Sequence, residues 1–455
     1  MSRLFGTDGI RGVANASPLT PELAFRLGRA GAPLLREKRA RASKQAVTLV
    51  LGRDTRQSGP MLEAALVAGI LSAGGRCINV GVMPTPAIAF LTREYGADGG
   101  IVISASHNPF EDNGIKFFGA GGSKFPDPWE AELETRLAQE DNWPRPTGAA
   151  IGSLKIARKA ERDYLEFLRR VVPISNLGGL KMVLDCANGA TSRLAPRLFR
   201  NLGAHVVTIG TRPNGKNINA RVGALHPEAL SAAVRESGAQ LGLAFDGDGD
   251  RLITVDESGE VRDGDYMLAI CARQMRAEGL LKGSCVVTTV MANLGLEQAL
   301  KEMGIQMVRA QVGDRYVLEE MQQRGANLGG EQSGHLIFLD QALTGDGMLS
   351  ALQLLAVMEK TGKPLSELSH CLTKFPQVLL NVPVRSKRPF EQLPKFTEHL
   401  RRLEASMNGR GRILVRYSGT EPLARIMIEG EDPQPIESAA KELADALREE
   451  LGGSL

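Results

Sequence analysis

The chain has few of the features that commit a protein to a special environment. Its five cysteines, at 77, 186, 271, 285 and 371, are odd in number, far apart and without a Cys-x-x-Cys pair. That pattern excludes a disulfide framework and a zinc site and suits a reducing compartment, so a cytoplasmic location is expected. No stretch approaches the roughly 18 uncharged apolar residues of a spanning helix. The start, Met-Ser-Arg-Leu-Phe-Gly-Thr-Asp-Gly, has no apolar signal core. Neither membrane association nor export is expected. An excess of one charge is also missing, since 55 Lys+Arg against 52 Asp+Glu leave a net +3. A surface that wraps a polyanion is not indicated, and nucleic acid is not expected as a partner. No low-complexity tract occurs.

What is present is an ordinary globular composition, 43% hydrophobic and 24% charged, over 455 residues. At roughly 150 residues per domain this suggests about three domains, or four small ones. Glycine is the outlier at 51 of 455 residues, about 11% against a usual value near 7%, which asks for many tight turns or close approaches.

Three segments repeat one pattern of apolar run, polar turn, amphipathic helix, glycine and second apolar run. They are Val47 to Val80, with a helix near 60 to 73; Met182 to Ile209, with a helix to about 201; and Cys285 to Val308, with a helix to about 303. Continuous apolar strands alternating with helices imply parallel sheet covered on both faces, with ligands at the carboxyl ends of the strands. The last 85 or so residues differ. Arg412 to Arg416 and Arg425 to Ile428 flank a polar loop, and a charged helix follows from about 436 to 451, as in a separate α+β domain. Boundaries are placed in the Pro/Gly-rich stretches near 144–153, 254–262 and 372–376.

Four loops carry chemistry. In Asp246-Gly247-Asp248-Gly249-Asp250-Arg251, three carboxylates fall within five residues between two apolar runs. At about 4 Å each pair repels by roughly 4 kcal/mol at an effective dielectric of 20, and a hard divalent cation reverses the sign. An all-oxygen set favours Mg²⁺, Mn²⁺ or Ca²⁺. A calcium-binding EF-hand would put Glu257 at its twelfth position but needs glycine where Arg251 stands, and helices where the flanks read as strands. A solvated acidic turn is the plain alternative. The loop is expected to be polar and accessible, so that substituting Asp248 spares the fold.

Ser104-Ala105-Ser106-His107-Asn108-Pro109 follows an apolar run and offers a nucleophile or phosphate carrier, with Lys116 ten residues beyond Ser106; a turn with satisfied hydroxyls is its alternative. Glu331-Gln332-Ser333-Gly334-His335 suits sugar hydroxyls, with His335 able to exchange protons near neutral pH, or is a polar turn. Arg416-Tyr417-Ser418-Gly419-Thr420-Glu421-Pro422, with Arg425 after it, reads equally as an anion cradle or as a capped hairpin turn. Gly210 to Asn217 nearly spells a nucleotide-binding P-loop, but Asn217 replaces the required Ser or Thr and Pro213 removes a cradling N–H.

Taken as a set and in this order, with Phe5-Gly6-Thr7-Asp8-Gly9-Ile10-Arg11-Gly12 at the start, these motifs make the chain resemble the α-D-phosphohexomutase superfamily over its full length. The resemblance implies an α/β protein of four domains around a central cleft. Three would be repeated mixed or parallel-sheet α/β domains, at 1–150 with the phosphoserine, 151–254 with the metal and 255–372 with the sugar loop. A C-terminal α+β phosphate-binding domain would span 373–455. By the same analogy Ser106, rather than Ser104, is phosphorylated, and Asp246, Asp248 and Asp250 hold Mg²⁺ together with an oxygen of that phosphate. Arg251 lies beside the phosphoryl group, His107 adjoins it, and Lys116 and His335 are the acid and base. Glu331 and Ser333 touch the sugar, while Arg416, Ser418, Gly419, Thr420 and Arg425 hold the phosphate that is not reacting.

The implied reaction passes the phosphoryl group of Ser106 to a hexose phosphate, through a bound 1,6-bisphosphate that also serves as activator. The Gln332 form of the sugar loop is similar to the glucosamine branch, whereas Met is typical there in the phosphomannomutase/phosphoglucomutase branch. Interconversion of glucosamine 6-phosphate and glucosamine 1-phosphate, feeding UDP-N-acetylglucosamine and cell-wall synthesis, is therefore expected, with a phosphorylated amino sugar as partner and a homodimer allowed. The alternatives are the phosphomannomutase/phosphoglucomutase activity, a metal-dependent sugar phosphatase and a noncatalytic sugar-phosphate sensor.

Overall fold

The computed structural model describes residues 4–6, 8–39, 45–139, 143–174, 176–407, 410–418 and 422–452. It consists of two compact bodies, Met1–Met291 with Ile305–His370 and Ala292–Gly304 with Cys371–Leu455.

The first body holds three sheets, each containing the strands of one of the repeats. In the six-stranded sheet, Thr48–Arg53 is followed by the helix Gly59–Ser72 and pairs in parallel with Arg76–Val82. Leu49, Val50 and Leu51 are all fully buried. Successive strand residues point to opposite faces, so burial of three in a row requires cover on both faces. Gly99–Ile103 pairs in parallel with Thr48–Arg53 and antiparallel with Asp112–Gly119. The second sheet pairs Lys181–Asp185 in parallel with His205–Ile209 and with Leu241–Phe245. The third pairs Cys285–Thr289 in parallel with Gln306–Ala310 and Leu328–Gly330. In all three, the loops leaving the carboxyl ends carry the polar residues singled out in the sequence.

Two expected divisions fall early. Ser153–Ile156 is the edge strand of the first sheet, paired with Arg76 to Asn79, and Leu252–Asp256 and Val261–Arg262 complete the second. Divisions after 150 and 254 would each cut a sheet edge. Ser153–Ile156 alternates polar and apolar residues, but it is only four residues long beside a Pro/Gly-rich stretch, and even its Leu154 and Ile156 are exposed.

The second body is an antiparallel sheet in the order Gln377–Pro383, Leu423–Gly430, Gly411–Tyr417, packed with the helices Pro394–Met407 and Pro433–Leu451. Its core is built from Phe396, Ile426, Ile428, Leu443 and Leu447. The last helix starts before the expected 436 because Asp432 caps it, accepting from Gln434 N at 3.0 Å, and Pro433 suits the first turn. The helix of the third repeat, Leu294–Glu302, belongs to this body. At its N-terminus the Asn293 side chain accepts from Phe375 N at 2.9 Å and donates to Glu429 Oε1 at 3.2 Å.

Candidate active site

The strand Gly99–Ile103 delivers Ser106 to the carboxyl end of the first sheet, buried and with φ +51°. A serine holds that left-handed conformation only when its surroundings over-determine it. Here they do. The fully buried Arg56 donates to the carbonyls of Ser106 at 3.0 Å, Asn108 at 2.8 Å and Asp112 at 2.9 Å, and also to Pro109. Asn219 donates to Ser106 O at 2.9 Å and Asn108 O at 3.0 Å. Asp54 pairs with Arg56 Nε at 2.8 Å and accepts from Ser104 Oγ at 2.7 Å.

This network distinguishes the two serines. Ser104 donates to Asp54 and accepts from Ser106 N at 2.9 Å, so its hydroxyl is committed to the scaffold. Ser106 Oγ instead points at the acidic loop and donates to Asp246 Oδ2 at 2.6 Å.

The acidic loop is the connection between the antiparallel strands Leu241–Phe245 and Leu252–Asp256. Strands on both sides rule out the EF-hand. Asp246, Asp248 and Asp250 each bring a carboxylate oxygen within 4.8 Å of the others, the one such cluster among the described residues. They are 1%, 1% and 5% exposed, so the expectation of an accessible loop is corrected. The close fit of the serine loop explains it: a Cβ on Gly247 would stand 2.5 Å from Ser106 O.

Burial, and then the charges of Asp250 and Asp248, push the Asp246 carboxyl well above its ordinary range. Burial and Asp248 raise Asp250 as well. Burial opposes ionisation of Asp248 too, but the Lys116 ammonium at 3.0 Å and the Thr85 hydroxyl at 2.6 Å outweigh it and hold that carboxyl down. Asp248 Oδ1 and Asp250 Oδ1 are buried without a hydrogen-bond partner. Three hard oxygen donors, mutually repelling and in part unsatisfied, fit a divalent cation.

Lys116, on the strand Asp112–Gly119, is buried between Asp248 and Asp8 Oδ2, the latter at 2.9 Å. Burial disfavours its charge, but Asp248 and Asp8 raise its pKa, so it carries a positive charge in this site. His107 lies 3.3 Å from Ser106 Oγ. Burial, then Arg251 and Arg11, lower its pKa to about 3, so it is a neutral hydrogen-bonding partner. The Arg251 guanidinium lies 4.0 Å from Asp250.

The sugar-type loop is the turn between Leu328–Gly330 and Leu336–Phe338. Gly334 in it has φ +90° and carries no Cβ, which would sit 2.2 Å from Leu252 O. Close approach to Leu252 brings His335 into a backbone bridge with Arg251. His335 Nε2 accepts from Gly345 N at 3.2 Å, leaving the buried Nδ1 without a protein partner. Glu331 accepts from Gly313 N at 3.1 Å and from Ser333 Oγ at 3.2 Å, which fixes both side chains.

The structure therefore gathers Ser106, His107, Lys116, Asp246, Asp248, Asp250, Arg251 and His335 into contiguous contact. The Arg416 loop is in the other body. There Arg416 and Arg425 are directly opposed across two antiparallel strands, and burial together with the Arg425 charge lowers the Arg416 pKa. Like charges so placed repel, and an anion between them would relieve it. Ser418 is buried, and its carbonyl accepts from Lys387 Nζ at 2.6 Å. Gly419 and Thr420 lie outside the described residues.

Four family models match the chain in order. These are phosphoglucomutase/phosphomannomutase alpha/beta/alpha domain I at residues 2–143, domain II at 162–259, domain III at 263–375 and the C-terminal domain at 379–446. A relative from Geobacillus kaustophilus, named phosphoglucosamine mutase, is 52% identical over 453 residues, 99% of this chain and 100% of its own. The chain belongs to the phosphoglucomutase/phosphomannomutase family. It is an enzyme of the phosphohexomutase class, an intramolecular phosphotransferase. The phosphoglucosamine mutase of Halalkalibacterium halodurans is 53% identical over 452 residues, with the same 99% and 100% coverage. A solved phosphoglucomutase/phosphomannomutase family protein from Burkholderia thailandensis superposes at TM-score 0.81 and 26% identity, covering 100% of this chain and 99% of that one. N-acetylphosphoglucosamine mutase from Aspergillus fumigatus, solved with GlcNAc-6P and magnesium, shares the fold at TM-score 0.67 and 17% identity, over 98% and 95% of the two chains.

Several residues of this phosphohexomutase site escaped the sequence reading. Arg56 and Asp54 had a signal, since Gly52-Arg53-Asp54-Thr55-Arg56 leaves the carboxyl end of a strand in the first repeat. Asn219, 113 residues from Ser106, and Thr85, 163 from Asp248, had none.

Proposed function

We propose that the chain interconverts glucosamine 6-phosphate and glucosamine 1-phosphate through phosphorylated Ser106 and a bound glucosamine 1,6-bisphosphate, which also restores phosphoserine when it is lost. The observation that carries the reading is the Ser106 hydroxyl itself. It is buried, held in a left-handed backbone and aimed at three clustered carboxylates.

Asp246, Asp248 and Asp250 would hold Mg²⁺, which when bound neutralises charge on the phosphoryl oxygens. Arg251 and Lys116 add positive charge beside the same group. In the first half-reaction the sugar hydroxyl oxygen bonds to phosphorus while the bond from phosphorus to Ser106 Oγ breaks. One proton leaves the sugar hydroxyl and one reaches the departing Ser106 oxygen, with Lys116 and His335 as the acid and base beside them. The second half-reaction runs these transfers backwards on the reoriented bisphosphate, so proton count and phosphate count both close. Burial of Ser106 keeps water from the phosphoserine, so that uncatalysed monoester hydrolysis, which is very slow, does not drain it.

Glu331 and Ser333 position sugar hydroxyls, and Arg416, Ser418 and Arg425, with Gly419 and Thr420, bind the distal phosphate. All five cysteines are free thiols, and among the described residues no helix is long and apolar enough to cross a membrane. A cytoplasmic enzyme supplying amino-sugar phosphate for UDP-N-acetylglucosamine fits both.

Intact-mass measurement on the purified enzyme, run beside isomerisation and phosphate-release assays, tests this. The expected result is one added phosphate that disappears in Ser106→Ala together with isomerisation. Steady release of inorganic phosphate without isomerisation would make it a phosphatase, and equal kcat/KM on glucose or mannose phosphates would remove the glucosamine assignment.

A further inference from the structure

We propose that Lys124 is a positioning residue that couples the two acid–base side chains, holding Lys116 through Asp8 and His335 through Asp314. The inference rests on the assignment of Lys116 and His335 as the groups that move protons.

Lys124 lies just beyond the strand that carries Lys116, and its backbone bridges Phe118. Its ammonium forms ion pairs with both Asp8 and Asp314. Each of those carboxylates holds one further group. Asp8 Oδ2 is 2.9 Å from Lys116 Nζ, and Asp314 Oδ2 is 3.6 Å from His335 Nε2. The charges alternate from Lys116 through Asp8 and Lys124 to Asp314, whose carboxylate faces the His335 imidazole. The five side chains are at most 21% exposed, so screening by solvent is weak.

The two ends of this chain lie on different sheets, Lys116 on the first and His335 beside the third. Charge-assisted hydrogen bonds are short and directional, and so fix a distance that backbone packing alone would leave looser. A second contact shows that the junction is built. Arg315, next to Asp314, donates to the O of Phe125, the residue after Lys124, at 2.9 Å and pairs with Glu130 Oε1 at 3.0 Å. Among the described residues, the other ion-pair partner of Asp314 is the His335 ring, which is charged only when protonated. Without Lys124, Asp314 would lose the ammonium that holds its carboxylate beside the His335 ring. Asp8 would retain Arg11 and Lys116, but among the described residues no ion pair would join it to the third sheet.

The test uses the full-length phosphorylated enzyme with Lys124→Met, Lys124→Arg and Asp314→Asn, reading kcat and KM in both directions and the unfolding temperature. For Lys124→Met, kcat should fall by about 10–100-fold, the usual cost of removing a partner that orients a functional group, with KM within about threefold. The Arg315 contacts should keep the unfolding temperature near wild type. Lys124→Arg, which keeps the charge, should recover most of the loss. Asp314→Asn cuts the same link from the other side, should lower kcat similarly, and decides the matter if Lys124→Met does not fold. Wild-type kcat in Lys124→Met and Asp314→Asn would overturn the proposal, as would a rise in KM equal to the loss of kcat/KM. Failure of the underlying assignment reads differently: Lys116→Met and His335→Asn would then each turn over at the wild-type rate.

Discussion

The serine and metal loops of the first body and the arginine loop of the second both lie at turns between strands, yet they are built on opposite plans. Around Ser106 the backbone carbonyls of Ser106, Asn108, Pro109 and Asp112 are held by buried side-chain donors. Arg56 and Asn219 are locked in turn, and Gly247 lets two loops close to contact. Around Arg416 the polar groups stand on a small three-stranded sheet, half-buried, with two arginines facing each other and Lys387 at the turn. Bond making needs atoms fixed to fractions of an ångström, whereas holding a phosphate at a distance needs positive charge and a few donors. The contrast predicts that substitutions in the first region act on kcat and those in the second on KM.

The largest effect expected is on Ser106→Ala, where turnover should drop by about 10⁴-fold or more because the group that carries the phosphoryl is gone. Far-UV circular dichroism should match wild type. A drop of less than tenfold would deny Ser106 its role. Chelation of divalent cations should stop turnover, and titrating Mg²⁺ back should restore it. Asp248→Asn should lower the restored rate by about 10²–10³-fold, as loss of a metal ligand and of the partner of Lys116. Undiminished turnover in either case would separate catalysis from the acidic loop.

Arg416→Ala sharpens the other half of the comparison. KM should rise by about 10–100-fold with kcat within a few fold, the signature of lost uniform binding. A kcat loss as large as that of the metal-loop variants would erase the contrast. The smallest effect is one of stability. In metal-free protein, Asp250→Asn removes a buried carboxylate that burial and Asp248 already disfavour in its charged form. Its unfolding temperature should equal or exceed that of metal-free wild type, and Mg²⁺ should stabilise the variant less. A lower value without metal would mean that the carboxylate is satisfied by the protein alone.

Much of this was legible in the chain. Apolar runs such as Thr48 to Leu51 and Cys285 to Thr289 announce doubly covered strands, because a run with no polar face can only be buried on both sides. The acidic loop, the serine loop and the sugar loop stood out because clustered carboxylates or closely spaced Gly and hydroxyl residues are costly or strained unless used. The edge strand Ser153–Ile156 was not legible, because four alternating residues beside a Pro/Gly-rich stretch are too short a pattern to separate from a linker. The buried state of Asp248 was missed as well, because a sequence of acids and glycines reads as a wet turn until a second loop is seen to cover it.

The sequence by itself determined which residue types are available for phosphate, metal and sugar, and that three α/β units and a different C-terminal unit present them. Only the tertiary structure decided which serine is free to react, because the commitment of Ser104 to Asp54 and the fit of Ser106 against Gly247 are contacts between distant segments. It also brought Lys124 into contact with Asp314, 190 residues away. Local patterning reports on one face of one element at a time, while the selection of a reactive group depends on which donors and charges several elements bring to the same few cubic ångströms.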